Sequence, residues 1–187
     1  DGSTDCTAEL AKRAGAYVIK HSKNEGQWEA LKTGFKEALK QGYNIIISMD
    51  GDGQHDPDDI PILIEPLLVN SADLVVGSRM MKSVITMLPY RYIGIKLFSK
   101  LLSLFTGLKL TDVMSGFRAY KANLLKAMLD KLTEKQYGIL EATLIAWKLG
   151  ARICEKPVGF VAVKSSKKGA IRFFLNLWRV LIKTLMR

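Results

Sequence analysis

The segment Asn44 to Met49 constrains this chain more than any other: a near-continuous apolar run, Asn-Ile-Ile-Ile-Ser-Met, halts at Asp50-Gly51-Asp52-Gly53. Apolar residues at consecutive rather than alternate positions over so short a length are the pattern of a strand buried on both faces. Neither a strand nor a helix interior accommodates Asp-Gly-Asp-Gly, so the strand ends there in a turn. A strand covered on both sides needs helices on both sides, which predicts an α/β fold with an open, mostly parallel sheet.

The surrounding pattern agrees. Trp28, Leu31, Phe35, Ala38 and Leu39 repeat at helical spacing within Gln27–Lys40, and Gly42 follows as a stop signal. Thr4 or Asp5 is positioned to cap a helix over Ala8–Ala14, and Ala16–Ile19 reads as a short strand. Pro57–Leu68 reads as a helix and Asp73–Gly77 as a second buried strand. With 187 residues and 48% of them hydrophobic, one domain with a sizeable core is expected. Cys6 and Cys154 lie far apart without metal-ligand spacing, so both are expected as free, buried thiols with no assigned chemistry.

Charge divides the chain. The net charge is +10, yet residues 156–187 hold eight basic residues and no acid. A second acid-free stretch, Leu74 to Thr111, carries Arg79, Lys82, Arg91, Lys96, Lys100 and Lys109. Such surfaces attract polyanions, whether nucleic acid, lipid phosphate or a phosphorylated substrate. From Gly169 onward Arg172, Asn176, Arg179, Lys183 and Arg187 form one narrow stripe on a helix that is otherwise almost wholly apolar. That is the design of a helix lying in a membrane interface; a helix packed on the protein's own core with a basic edge is the alternative. Residues 1–163 are therefore expected as the folded domain and 164–187 as a basic amphipathic membrane-interface segment. The basic residues interleave with aliphatic runs rather than with an aromatic platform, which argues against nucleic acid as the partner. No segment approaches the length of uninterrupted apolar sequence that a membrane span requires.

Asp50 and Asp52 stand just beyond a buried strand, the place where open α/β sheets bind ligands. Gly51 between them lets the backbone turn so that both carboxylates can face one site. Two hard oxygen donors suit Mg²⁺ or Mn²⁺ shared with substrate phosphate oxygens. His55 is read as a turn residue beside the metal. Asp1-Gly2-Ser3-Thr4-Asp5 is either a capped turn or a nucleoside-binding loop, and Asn24-Glu25-Gly26 is a second loop of the same ambiguity. Asp112 is the best carboxylate for a general base if an acceptor hydroxyl must be deprotonated.

Together these segments resemble the family 2 glycosyltransferases with the GT-A, Rossmann-like fold. The matching runs are D-G-S-T-D at 1–5, N-x-G at 24–26, M-D-G-D-G-Q-H-D-P at 49–57, V-V-G-S-R at 75–79 and D-V-M-S-G-F-R-A-Y at 112–120. Within the family the chain is most similar to the dolichol- and polyprenyl-phosphate hexosyltransferases. The resemblance implies a nucleotide-sugar donor, GDP-mannose or a UDP-hexose, and a polyisoprenyl phosphate acceptor on the cytoplasmic side of a membrane. It places Asp1 and Ser3 at the nucleoside and Asp50, Gly51, Asp52 and Gln54 at the metal and diphosphate. Arg79 and Arg91 would hold the acceptor phosphate. Ser115, Gly116, Phe117 and Arg118 would shape the sugar pocket, with Glu141 near the site. The family's first strand is expected to precede residue 1. Gln27-Trp28 stands where these enzymes often have Lys-Gly, and the late basic motif is reduced to Lys164-Ser-Ser-Lys-Lys-Gly169.

Two other readings follow from the same residues. A family member acting on a saccharide hydroxyl would need a base, which points to Asp112. A non-catalytic membrane or polyanion-binding module would explain the basic tail but not the intact Asp50, Asp52 and Gln54.

Overall fold

The computed structural model describes the backbone of residues 1–81, 89–135, 137–161 and 170–187, and the side chains of these except 89–91 and 170–174. Four strands make one open sheet in the order β1-β3-β2-β4: β1 Ile45–Ser48, β2 Leu74–Ser78, β3 Arg118–Lys121 and β4 Ile153–Pro157. β1, β2 and β4 run in one direction, as the apolar runs lead one to expect. β3 runs against both β1 and β2, so the hydrogen-bonded pairing is mixed rather than wholly parallel. The reason is local: β3 begins opposite Ser48 and Val76, at the carboxyl ends of its neighbours, and must run back between them.

Seven α-helices are described: α1 Thr7–Arg13, α2 Gln27–Lys40, α3 Ile60–Leu68, α4 Pro89–Thr106, α5 Ala122–Leu129, α6 Gly138–Lys148 and α7 Ala170–Leu185. The period of the strands sorts the core into layers. Leu74, Val76 and Tyr120 face one side and pack with Trp28 and Phe35 of α2, Leu125 and Met128 of α5, and Ala142 and Ile145 of α6. Val75 and Ala119 face the other side, with Leu63 and Leu67 of α3. Trp28 meets Phe35 edge-on at 6.4 Å, and Phe35 meets Tyr120 at 5.4 Å. Gly138 makes room for the indole, since a Cβ there would lie 2.2 Å from Trp28 Nε1.

The C-terminal helix divides its apolar surface. Leu177, Val180 and Leu181 are buried against Phe98 and Leu102 of α4 and Leu140 and Leu144 of α6. The basic stripe turns partly inward: Arg179 and Lys183 both pair with Glu134, which is only 4% exposed. Leu175, Trp178, Ile182 and Met186 remain exposed, as do Ile93, Leu97, Leu104 and Phe105 of α4. Trp178 touches the buried Phe98 of α4 edge-on at 6.2 Å. Residues 164–169 of the expected interface segment lie outside the described residues. No described helix is long and apolar enough to cross a membrane.

Three local expectations need correction. Ala16–Ile19 is irregular, because it finds no ladder partner among the described residues, and Tyr17 and Ile19 are exposed. Pro57–Asp59 forms a 3₁₀ turn before α3 rather than its first α-helical turn; the Asp56 side chain accepts from Asp58 N across the proline. Both thiols are free, but Cys154 is only half-buried and Cys6 is exposed, because Cys6, rather than Thr4 or Asp5, stands at the N-cap of α1, which buries none of its residues.

Candidate active site

The site lies at the carboxyl end of β1. Asp50 follows the strand by two residues, and its carboxylate is surrounded. Gln27 Nε2, in the first turn of α2, donates to Oδ1 at 3.0 Å. His55 Nε2 faces Oδ2 at 3.8 Å, an ion-pair separation longer than a hydrogen bond. Gly116 presses against it from the far side: a Cβ at this position would lie 2.9 Å from Oδ2. These contacts hold the Asp50 carboxyl below the ordinary carboxylate range, first through His55, against burial, then through Gln27 and the nearby charge of Arg79. Asp50 is therefore an ionised, oriented oxygen donor.

Asp52 Oδ1 accepts from Gln54 N at 3.1 Å, which closes the turn around Gly53, and Gln54 O accepts from Val161 N. Among the described residues no three His, Cys, Asp or Glu side chains gather into a self-sufficient metal site. Two carboxylates and the Gln54 amide fit an Mg²⁺ or Mn²⁺ ion that completes its shell with a ligand's phosphate oxygens. His55 is buried, meets Phe117 at 5.1 Å with the rings tilted by 48°, and keeps Nδ1 without a partner.

Asp1, Asn24 and Gln27 share an open groove with Met49, Asp50 and Gly51. The Asp1 carboxylate is already engaged: Glu25 N and Gly26 N donate to it at 2.8 and 2.9 Å, and His21 Nδ1 lies 3.0 Å away. It thus ties the first loop to the Asn24-Glu25-Gly26 loop. Ser3 is exposed.

Arg79 follows β2 and pairs side-on with Asp112. Nε donates to Oδ2 at 2.6 Å and Nη2 to Oδ1 at 2.9 Å, while the carboxylate is fully buried. The guanidinium lies over the Phe160 ring at 5.2 Å. Phe160 also meets His55 at 6.4 Å, so the arginine and the Asp50 turn border one aromatic cluster. The Arg91 side chain lies outside the described residues.

Arg118 is placed differently from a pocket-lining residue. It is fully buried, and it donates to Ser115 O, Val113 O, Ile139 O and Thr143 Oγ1 at 2.7 to 3.1 Å. Its guanidinium shapes the 113–116 loop from within, and Ser48 Oγ fastens the same loop through Gly116 O at 2.8 Å. Ser115 is buried, and its Oγ accepts from Phe117 N. Glu141 is also fully buried; it accepts from Thr133 N, Thr133 Oγ1 and Glu134 N and so braces the turn before α6.

Two residues escaped the sequence reading. Gln27 stands out in the sequence only as a departure from the Lys-Gly of related enzymes, and nothing in its local pattern announces Asp50 as partner. Glu155 of β4 lies under the Asp112 loop; as the last acidic residue of the chain, in a strand, it carried a faint signal, since a part-buried carboxylate must find donors.

Comparison with known proteins converges on one group. The model of the family "Glycosyl transferase family 2" matches residues 1–129. An undecaprenyl-phosphate mannosyltransferase of Micrococcus luteus is 35% identical over 176 residues, covering 86% of this chain and 69% of that protein. A UDP-N-acetylglucosamine–dolichyl-phosphate N-acetylglucosaminyltransferase of Methanococcus voltae is 38% identical over 144 residues, covering 75% of this chain and 57% of that protein. Glucosyl-3-phosphoglycerate synthase of Mycobacterium tuberculosis, solved with Mn²⁺, UDP and glucosyl-3-phosphoglycerate, superimposes with a TM-score of 0.68 at 20% identity. That alignment covers 99% of this chain and 65% of the synthase, so the chain spans about two thirds of that structure.

Proposed function

This chain belongs to glycosyl transferase family 2, and we propose that it transfers a hexose from a nucleotide-diphosphate sugar to a polyisoprenyl phosphate at the cytoplasmic surface of a membrane. The observation that carries the acceptor assignment is the side-on pair between Arg79 and Asp112. Both Asp112 oxygens are taken by the Arg79 guanidinium and the side chain is fully buried, so the best candidate for a general base presents no free oxygen to an acceptor hydroxyl. The site therefore suits an acceptor that needs no base. A phosphate monoester is such an acceptor, because it is ionised at neutral pH.

Arg79 supplies the matching recognition. Its bond to Asp112 uses Nε–H and one Nη2–H, which leaves three N–H groups on the outer edge of the guanidinium. That edge is the planar fork that binds phosphate through paired hydrogen bonds. Arg91 joins it in this reading. Asp1, Asn24 and Gln27 line the nucleoside side of the site, and Asp50, Asp52 and Gln54 would hold the divalent ion. When bound, that ion supplies positive charge to the departing nucleotide diphosphate. A phosphate oxygen forms the new bond to the anomeric carbon, while the bond from that carbon to the diphosphate oxygen breaks. The nucleotide leaves with the electron pair, and the configuration inverts. Gly116 keeps the loop close to Asp50, and Arg118 holds the loop in that position.

The exposed apolar residues of α4 and α7, interspersed with basic residues, support peripheral attachment to anionic lipid. The acceptor and donor are tested together by incubating the protein with Mn²⁺, a panel of labelled nucleotide sugars and a polyprenyl phosphate. Transfer of label to the lipid with one donor, abolished in Asp52→Ala, supports the proposal. Nucleotide binding without lipid labelling for any donor overturns it.

A further inference from the structure

Beneath Arg79 and Asp112 lies a second carboxylate that the mechanism does not use. Glu155 projects from β4 toward the loop that carries Asp112. Its Oε1 accepts from Asp112 N at 2.7 Å. Its Oε2 accepts from Thr111 N at 2.7 Å and from Thr111 Oγ1 at 2.8 Å. Thr111 Oγ1 in turn lies 2.7 Å from Ser78 Oγ, at the end of β2 and next to Arg79, and Met80 N donates to that same Ser78 oxygen at 3.2 Å. Ser78 is thus tied to the glutamate through Thr111, and Met80, on the other side of the arginine, through Ser78.

We propose that Glu155 is a positioning residue for the acceptor phosphate: by fixing the Thr111–Asp112 backbone it aims Asp112 at Arg79 and turns the outer fork of the guanidinium into the site. The proposal rests on the acceptor reading above. Three features of the structure carry it. First, a side-on pair is directional, since both nitrogens must meet both oxygens, so a small rotation of Asp112 breaks one bond. Second, the Asp112 side chain is fully buried, so no solvent can reorient it and its backbone sets its direction. Third, Glu155 is retained at a cost. Burial pushes its carboxyl above the ordinary range, the neighbouring charge of Asp112 adds to the push, and only neutral donors oppose it. A group needed for packing alone has no reason to carry a charge there, whereas fixing two adjacent backbone N–H groups at once needs both oxygens of a carboxylate. β4 therefore contributes to acceptor selection through Glu155.

The test joins a structural and a kinetic readout on Glu155→Gln, which keeps the shape of the side chain but offers one acceptor oxygen in place of two. The Arg79 Nε–H resonance, identified by its loss in Arg79→Lys, reports the side-on pair directly. In Glu155→Gln this resonance is expected to broaden or disappear. The KM for polyprenyl phosphate is expected to rise about tenfold, the scale of one weakened charged hydrogen bond, with the KM for the nucleotide sugar unchanged. In an Arg79→Ala background, Glu155→Gln is expected to add no further rise, because it acts through the arginine. Thr111→Val removes one of the three donors to Glu155 and provides a milder second variant, expected to move the same two readouts in the same direction. An unchanged Arg79 resonance in folded Glu155→Gln or Thr111→Val overturns the inference. So does a rise of both KM values together, or a full additional effect in the Arg79→Ala background. Because the resonance is read without acceptor, it decides the positioning role even where the wild-type protein fails to glycosylate a lipid phosphate; that failure counts against the proposed function alone.

Discussion

Arg79 and Asp112, 33 residues apart in the chain, meet through two parallel hydrogen bonds of 2.6 and 2.9 Å between a guanidinium 14% exposed and a carboxylate with no exposure at all. The geometry assigns the carboxylate to orientation and the outer edge of the arginine to recognition. The first prediction follows. Arg79→Lys keeps the charge but loses the planar fork, so the KM for the lipid phosphate is expected to rise about tenfold or more while nucleotide-sugar binding is unchanged. Steady-state kinetics with each substrate varied in turn makes the check. Equal losses for both substrates would count against it.

Gly116 permits the approach of its loop to Asp50, and a methyl group there would sit 2.9 Å from the carboxylate. Gly116→Ala is expected to displace Asp50 and weaken Mn²⁺–nucleotide binding about tenfold, with thermal stability in the absence of ligand changed by no more than about 1–3 kcal/mol. Calorimetric titration of nucleotide with and without Mn²⁺ reads the effect. Intact metal-dependent affinity would show that Asp50 is not a ligand.

The depressed pKa of Asp50 has a definite sign. A carboxyl whose folded value lies below its unfolded one contributes stability that is present above the unfolded value, 3.8, and is lost as the pH falls through the lower folded value. The Asp50 carboxyl carbon resonance, assigned with Asp50→Asn, is expected to titrate below the ordinary range. In His55→Phe, which removes the first cause and keeps an aromatic ring against Phe117, the midpoint is expected to move up. A midpoint unaffected by His55→Phe would contradict the geometry.

Deleting α7 would expose Leu177, Val180 and Leu181, so loss of membrane binding in such a truncation would say little. Leu175 and Ile182, at 65% and 54% exposure, are better probes. The pair Leu175→Ser and Ile182→Ser is expected to weaken binding to anionic vesicles about thirtyfold or more, at roughly 1 kcal/mol or more for each apolar side chain withdrawn from the interface. Unaltered pelleting, with the fold intact, would remove α7 from the membrane account.

How far the sequence could be read depended on the range of the interactions. Gln27–Lys40 was legible end to end, because one apolar stripe and a following glycine define it locally. The strands at Ile45–Ser48, buried at alternate residues rather than on both faces, and at Leu74–Ser78, buried throughout, were legible as apolar runs. β3 was not, since it has four residues with Arg118 and Lys121 at its ends, and only its partners make it a strand. Ala16–Ile19 shows the converse, a strand-like pattern without a ladder partner. Side-chain partners are set over the same long range. Arg118 in a glycine-containing loop looks ready for a ligand, yet four protein oxygens claim it. Glu155 and Gln27 matter through residues 43 and 23 positions away, a distance over which no periodicity reports.

The central claim is that the acceptor is a phosphate held by a braced arginine rather than a hydroxyl activated by Asp112. The measurement that tests it most directly is kcat for Asp112→Asn at saturating acceptor, with polyprenyl phosphate and a saccharide acceptor offered in parallel. The account predicts transfer to the lipid phosphate alone, with kcat reduced by less than about tenfold and most of the loss in acceptor KM. Transfer to the saccharide hydroxyl, with kcat for Asp112→Asn falling by about 10²–10⁴, the contribution of a general base, would contradict it.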